Sequence, residues 1–479
     1  MLIPPHAPPR IVIIGGGFSG AVVALNLLNR LRRGCASIVI IEPRPTLGAG
    51  LAYSAADPAH RVNVPASRLL VLAEAPGAFE AWFRDSGASA QDPEALLEDG
   101  RAYPRRAVFG GYVDGLLRDA IGAPDAPAFA HIKCRAVRAI SSGGQYLVDL
   151  ETGETVVGDV LVLAVSHPSP SVPGPFRPLA EHAKFIADPW VPNALGVISQ
   201  HDRVLIIGTA LSTADVIASL KDSGHIGKIV AISRRGLVSR LRKMQQKEIF
   251  GDFASKPSRT ALALLRAVRG TVAKAEASGS SWGAVMDAAR AQGLTIWTAL
   301  PPAEKRRFLR HVRPFWDVHR YQVAPQLAAI TDAQCAAGKL AIRAARLQMA
   351  DFRDDKFHVR LKYREASAPE TEVFDAVVNC TGPAHGTVME TNPVLASLGA
   401  AGLLRADPYG LGVDTDLSAR VLGSDGQAIP DIFVAGPLAR AAFGELMGLP
   451  QVSEHAALVA SKVADLVAES DTAAAVRRA

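Results

Sequence analysis

Cysteine is scarce in this 479-residue chain, and Cys35, Cys134, Cys335 and Cys380 lie far apart with no Cys-x-x-Cys pair. Sequence neighbours therefore cannot build a zinc knuckle, a disulfide framework or a dithiol redox centre, and a reducing compartment, the cytoplasm, is expected. No Cys–His pair is suggested and no nucleophile elbow is read, so acyl-enzyme chemistry is disfavoured. Long apolar runs are also lacking. The stretch 11–29 carries no charge, but Gly15, Gly16, Gly17 and Gly20 interrupt it and no small-residue cleavage site follows. Neither a signal peptide nor a membrane anchor is expected. Net charge is small, +6, which by itself does not call for a nucleic-acid partner. With 49% hydrophobic and 20% charged residues, disorder, collagen-like repeats and coiled coil are excluded as the main organisation.

The charge that is present is unevenly placed. Between Lys228 and Arg320 stand 19 basic and 6 acidic residues, a local +13 that leaves −7 for the rest of the chain. One region is thus strongly basic, and an anionic partner is expected for it. The leader 1–9 is proline-rich and reads as an extended arm.

One grammar occurs twice. Ile11-Val12-Ile13-Ile14 reads as a buried strand, followed by a glycine-rich turn, an apolar helix over 21–31 and a strand over 37–41 ending at Glu42. Val204-Leu205-Ile206-Ile207, the turn 208–212, a helix over 214–220 and a strand over 228–233 ending at Arg234-Arg235 repeat it. Each unit closes alike: a hairpin (146–150 with 155–157) and an apolar strand from Gly158 in the first, and residues 357–363, a polar turn and a strand from Phe374 in the second. The expected fold is α/β, with two Rossmann-like dinucleotide-binding domains, the second nested in the first. Residues 1–168 form the first part of an FAD-binding domain and 385–479 its second part, including a strand ending at Ala435. Residues 169–384 form an NAD(P)-binding domain carrying a helical insertion at 236–325, too long for mere connection.

In the first unit, Gly15-x-Gly17-x-x-Gly20 lies between strand and helix, with Glu42 twenty-two residues beyond Gly20. The first glycine permits the tight turn, the second lets a pyrophosphate reach backbone N–H groups, and the third lets helix and strand pack closely. Glu42 is placed to accept ribose hydroxyls and to repel a 2′-phosphate. The second turn, Gly208-Thr209-Ala210-Leu211-Ser212, sets a methyl group where the pyrophosphate approaches most closely. Arg234 and Arg235 stand where a 2′-phosphate would be paired, which favours NADPH; the bland alternative is two solvated arginines. FAD is expected in the first unit and a nicotinamide cofactor in the second.

These residues, with 48–54, 57–67, 103–112 and 308–320, resemble a family: the two-domain flavoproteins, and among them a bacterial group of FAD/NAD(P)-binding proteins akin to flavin monooxygenases. The resemblance implies that Ser19 and Asn63 help bind FAD, that Gly436-Pro437 lie beside the flavin, and that Ser166-His167 and Thr381-Gly382 mark the crossings between domains. Ser166 departs from the glycine usual at the first crossing. Phe176-x-Pro178-x-x-x-His182 resembles the signature that class B flavin monooxygenases keep between their glycine motifs, without its glycine and terminal aromatic. His182 is a candidate catalytic residue on that ground, against the commoner case of a surface histidine. Arg313, His319 and Arg320 lie on a basic helix broken near Pro314, read either as a lid or wall meeting an anionic substrate or the cofactor phosphates, or as a solvated face anchored by Phe315 and Trp316. His311 and His319 lack a nearby carboxylate pair, so no metal site is expected.

The expected activity is that of an FAD-dependent, NADPH-using monooxygenase, oxygenating an N, S or carbonyl centre of a small molecule by way of a C4a-peroxyflavin. Two alternatives stand: an NADPH-dependent reductase serving another acceptor, and a flavin-binding sensor whose nicotinamide site has decayed. No nucleic-acid or membrane partner is expected, and the oligomeric state is left open.

Overall fold

The computed structural model describes residues 8–241 and 248–476, with side chains as far as residue 469. Most of the leader, and Arg242, Lys243 and Lys247 of the basic region, lie outside the described residues.

Arg10–Ile14 (β1) and Ser37–Ile41 (β2) are runs of aliphatic, mostly β-branched residues, buried on both faces as interior strands of a parallel sheet must be. The helix Phe18–Arg30 joins them. Ala128–Ile132 (β3) follows, then Ala136–Ser142 (β4), Gln145–Leu150 (β5) and Thr155–Gly158 (β6), and finally Val160–Leu163 (β7). The next stretch holds Phe185–Ile186 (β8), Val204–Ile207 (β9), Ile229–Ser233 (β10), Leu340–Arg353 (β11), Lys356–Tyr363 (β12), Glu370–Phe374 (β13) and Ala376–Asn379 (β14). Arg420–Leu422 (β15), Ala428–Val434 (β16) and the helix Gln451–Val476 complete the chain's elements.

The first compact unit comprises the chain up to Ala56, Pro65–Pro168, and from His385 onward. Its main sheet runs β15-β16-β7-β1-β2-β3, parallel throughout except for β15, with β4-β5-β6 as a separate antiparallel sheet. The second unit, Ser169–Ala384 with Asp57–Val64, has one sheet, β13-β12-β11-β10-β9-β14-β8. Its core has two faces set by side-chain alternation: Leu205, Ile207, Val230 and Ile232 bury one, and Val204, Ile206, Ile229 and Ala231 the other. Both strand–turn–helix–strand repeats of the sequence are present.

One strand separates the two plans. β11 pairs parallel to β10 through its first residues and antiparallel to β12 through the rest, so a single strand joins sheet to hairpin. In the first unit the matching run breaks at residues 133–135 into β3 and β4, which belong to different sheets.

Two sequence expectations need correction. Residues Asp57–Val64, placed with the first unit by chain order, pack with the second. His60 Nε2 lies 3.0 Å from Ser219 Oγ, and the Ser219 hydroxyl donates to Asp57 Oδ2 at 2.5 Å, so this segment is pinned to the helix Leu211–Asp222. Pro314 does not break a helix. It is the second residue of the helix Arg313–Arg320, where its missing N–H costs nothing, and the irregularity is the π-turn Phe308–Val312 just before it.

Candidate functional site

β1 runs into Gly15, whose N–H donates to the Ile41 carbonyl at 2.9 Å. Its φ is +103°, and a Cβ there would stand 2.3 Å from the Ala164 carbonyl oxygen just past β7, so no other residue fits. Gly17 caps the helix Phe18–Arg30 in an extended conformation, and no side chain caps that helix. Its first N–H groups, with the positive end of the helix dipole, are thus available to an anion. A Cβ on Gly17 would lie 3.3 Å from Gly50 Cα, and one on Gly20 would fall 2.0 Å from the Gly15 carbonyl, so helix and turn are in backbone contact. Ser19 stands on the first helical turn, and a Cβ on Gly436 would meet its Oγ at 2.3 Å. Gly15, Gly17, Ser19, Gly20 and Gly436 are therefore brought together at the carboxyl ends of β1, β7 and β16, with Pro437 opening the next short turn.

Glu42 closes this side and is 4% exposed. Its Oε2 accepts the Gly16 N–H at 2.9 Å, and its Oε1 accepts the Arg44 backbone N–H at 3.1 Å and the Arg44 guanidinium at 3.0 Å. A carboxylate offers about four acceptor positions. Three are filled, which leaves Oε2 with one for a ribose hydroxyl. Asn63 belongs to the segment that packs with the second unit.

The second turn repeats the tightest contact. Gly208 has φ +133°, and a Cβ there would stand 2.2 Å from the Cys380 carbonyl oxygen after β14. Thr209 is buried and hydrogen-bonded inward: its Oγ1 lies 2.9 Å from Ser233 Oγ and 2.5 Å from the Leu237 carbonyl, while Ser233 Oγ accepts the Gly236 N–H at 2.9 Å. Ala210 is exposed and caps the helix Leu211–Asp222, which again has no side-chain cap. Ser212 is half-buried on that helix's first turn. Of the two arginines after β10, Arg234 is exposed, whereas Arg235 stacks over the Phe315 ring at 4.9 Å. The pair is thus split, one cation open to solvent and the other held against the helix Arg313–Arg320.

The remaining candidates are engaged in packing. His182 Nδ1 accepts the Lys184 N–H at 3.2 Å, and its ring packs on Phe352 at 4.0 Å and Phe357 at 5.0 Å. It precedes β8, whose Phe185 is level with Leu205 of β9 through Val377, so it lies at the amino ends of the strands, opposite Gly208. Ligands of open α/β sheets bind at the carboxyl ends, and the geometry gives His182 a structural part. Arg313 Nε donates to Asp317 at 3.2 Å; a His319 ring nitrogen lies 2.7 Å from the Phe315 carbonyl, with the ring edge-on to Trp282; Arg320 is buried over the Tyr321 ring. Lys305 lies over Trp297, and Arg307 pairs with Glu304. Part of the local positive excess is therefore neutralised or buried within the second unit. Gly279-x-Ser281-x-Gly283 has the spacing of a nucleophile elbow, but its serine caps the helix Trp282–Ala291, accepting the Gly283 N–H, and follows a helix rather than a strand. No cluster of three His, Cys, Asp or Glu among the described residues could hold a metal.

Sequence reasoning gave no chemical role to two polar residues at the carboxyl edge of the first unit's sheet. His167, past β7, sets its ring edge-on to His385 at 4.7 Å, and burial, aided by the Arg440 charge, pushes its pKa down to about 4. His455, on the helix Gln451–Val476, is 4% exposed, and burial lowers its pKa to about 3. One signal was available: His455 sits on the stripe of Val452, Ala456, Val459 and Val463, a single imidazole on the core face of an apolar helix.

The model of an FAD-NAD(P)-binding family matches residues 12–168. No curated protein sequence matches the chain. Among solved structures, the chain is similar to L-lysine 6-monooxygenase from Pseudomonas syringae, at 18% identity and TM-score 0.63 over 96% of this chain and 99% of that one. It is similar also to an ornithine N-hydroxylase from Kutzneria sp. 744, solved with reduced FAD, NADP+ and L-ornithine, at 14% identity and TM-score 0.63 over 97% and 100%. A third is bacillithiol disulfide reductase from Staphylococcus aureus, at 12% identity and TM-score 0.53 over 97% and 99%. No helix among the described residues is long and apolar enough to cross a membrane. At these identities the likeness establishes the fold: a mixed α/β chain of two Rossmann-like parallel sheets, the second inserted in the first.

Proposed function

We propose that this chain is an FAD-dependent, NADPH-using monooxygenase of a small molecule, working in the cytoplasm without a nucleic-acid or membrane partner. The observation that carries the reading is the pairing of two glycine turns with opposite charges after the next strand: buried Glu42 beyond the first and exposed Arg234 beyond the second. An acid at that place selects ribose hydroxyls and a cation selects a 2′-phosphate. The residues of the first turn fit FAD, since the backbone cradle excludes side chains and the uncapped helix start offers N–H groups.

When bound, the flavin supplies electron transfer and oxygen activation, and NADPH supplies the hydride. The protein's share is to hold and orient. The N–H groups at the start of the helix Phe18–Arg30 receive the pyrophosphate of FAD, and the spare acceptor position of Glu42 takes a ribose hydroxyl. The helix Leu211–Asp222 offers the same kind of N-terminus to NADPH, and Arg234 pairs with its 2′-phosphate. The helix Arg313–Arg320 serves as a wall of the second unit. Among N, S and carbonyl centres, the amine substrates named for the similar structures favour nitrogen.

The test is anaerobic reduction of the purified yellow protein by NADPH and by NADH, followed by mixing with oxygen in stopped flow. Faster bleaching by NADPH and an oxygenated-flavin absorbance on reoxidation are expected. No bleaching by either nucleotide would overturn the reading. A second reading, an NADPH-dependent reductase, is favoured by the same fold in a disulfide reductase; it predicts NADPH oxidation indifferent to oxygen and stimulated by another acceptor.

A further inference from the structure

Three elements of the first unit meet at Gly436: the carboxyl end of β16, the first turn of the helix Phe18–Arg30 through Ser19, and the helix Gln451–Val476 through His455. The Gly436 N–H donates to His455 Nδ1 at 3.2 Å. A ring nitrogen that accepts has no proton, so the neutral imidazole carries its hydrogen on Nε2. Burial holds the ring neutral, with its pKa lowered to about 3. Phe443 packs edge-on at 4.5 Å and fixes its plane. Nε2 is itself buried and, among the described residues, nothing accepts its hydrogen bond. A buried N–H without an acceptor is unfavourable and rare, and calls for a partner.

We propose that His455 Nε2–H is a hydrogen-bond donor to an acceptor oxygen or nitrogen of the flavin nucleotide held by the first unit. The inference rests on the FAD reading above. Its support is placement: the carboxyl edge of a parallel sheet is where such folds take their ligands. His455 reaches that edge through one hydrogen bond to Gly436, which touches the helix that starts at the glycine turn. The ring nitrogens, carbonyl oxygens and ribityl hydroxyls of a flavin supply acceptors, and a neutral donor meets them without burying a charge.

The experiment titrates FAD into the deflavinated full chain and into its His455→Leu and His455→Gln variants, reading the FAD dissociation constant and the midpoint potential of the bound flavin. Leu removes the donor, whereas Gln places an amide N–H at the reach of Nε2. Loss of one neutral hydrogen bond weakens FAD binding by about tenfold in His455→Leu, and His455→Gln stays within about threefold of the wild type. Wild-type affinity and potential in His455→Leu would overturn the proposal, and so would equal losses in both variants, which mark a packing role. Wild-type protein labelled with 15N-histidine gives a readout that needs no variant to fold: one imidazole Nε2–H resonance moves downfield and gains exchange protection on FAD addition. An unchanged histidine spectrum in a protein that does bind FAD sinks this inference alone. A wild type that takes up no FAD sinks the FAD reading as well.

Discussion

The two glycine turns can be laid residue on residue: Gly15 on Gly208, Gly16 on Thr209, Gly17 on Ala210 and Gly20 on Thr213, and by strand register Glu42 falls on Ser233, with Arg234 the next residue along. Only the first position is glycine in both. There a Cβ would strike a backbone carbonyl of the neighbouring strand's end, Ala164 in one unit and Cys380 in the other. That glycine is demanded by the fold. At the next positions the second unit tolerates real side chains, and Thr209 uses its hydroxyl to tie the turn to Ser233 and Leu237. Glycine at 17 and 20 therefore serves close approach of helix and ligand rather than the chain reversal. The difference separates residues that make the turn from residues that tune what it holds.

Breaking the shared position gives the largest effect. Gly15→Val and Gly208→Val each force a branched side chain into a carbonyl at positive φ, and each should destabilise its unit by about 4 kcal/mol or more, seen as insoluble protein or a lost thermal transition. Next comes Glu42→Gln, which weakens the anchor of the Gly16 N–H and Arg44. FAD affinity should fall by about 1.5–3 kcal/mol, roughly ten- to a hundredfold, while the KM for NADPH holds. Equal losses for both cofactors would show that the turns do not act separately.

Acid should strike the first unit through imidazoles. His167 and His455 are lowered from 6.5 to about 4 and about 3, so the unfolded chain binds protons that the folded unit refuses. The contribution of both is fully present above pH 6.5 and is lost progressively as pH falls toward 4. Flavin release and the melting temperature between pH 7.5 and 5 report it, and an unchanged melting temperature would refute it. Smaller still, Arg234→Ala should raise the KM for NADPH about tenfold and leave NADH unchanged, as loss of one exposed phosphate contact requires. Ala210→Gly should lower the NADPH KM by about threefold or less, because the methyl is exposed and crowds only the ligand.

What could be read from the sequence followed from local pattern. Ile11 to Ile14 and Val204 to Ile207 are apolar runs ended by glycine, and such a signal survives without any knowledge of distant partners. Pairings across the chain were not legible. Asp57–Val64 belongs to the second unit because His60 and Asp57 meet Ser219, some 160 residues away, and nothing in the segment itself announces that. Arg235 and Arg234 look alike in sequence, and only Phe315, eighty residues on, distinguishes them. His182 matched a spacing, yet the strand register sets it at the wrong end of its sheet.

The insertion of one sheet within another also sets an order of assembly. β16 pairs with β7 although more than 260 residues separate them, and the whole of Ser169–Ala384 lies between. During synthesis the second unit, including the early segment 57–64, is complete before β16 leaves the ribosome. Non-local pairing is slow, and domains tend to fold as units once their residues are available. The glycine turn written first in the chain is thus finished last, so a chain truncated after residue 420 should contain a formed second unit and a first sheet still missing its edge.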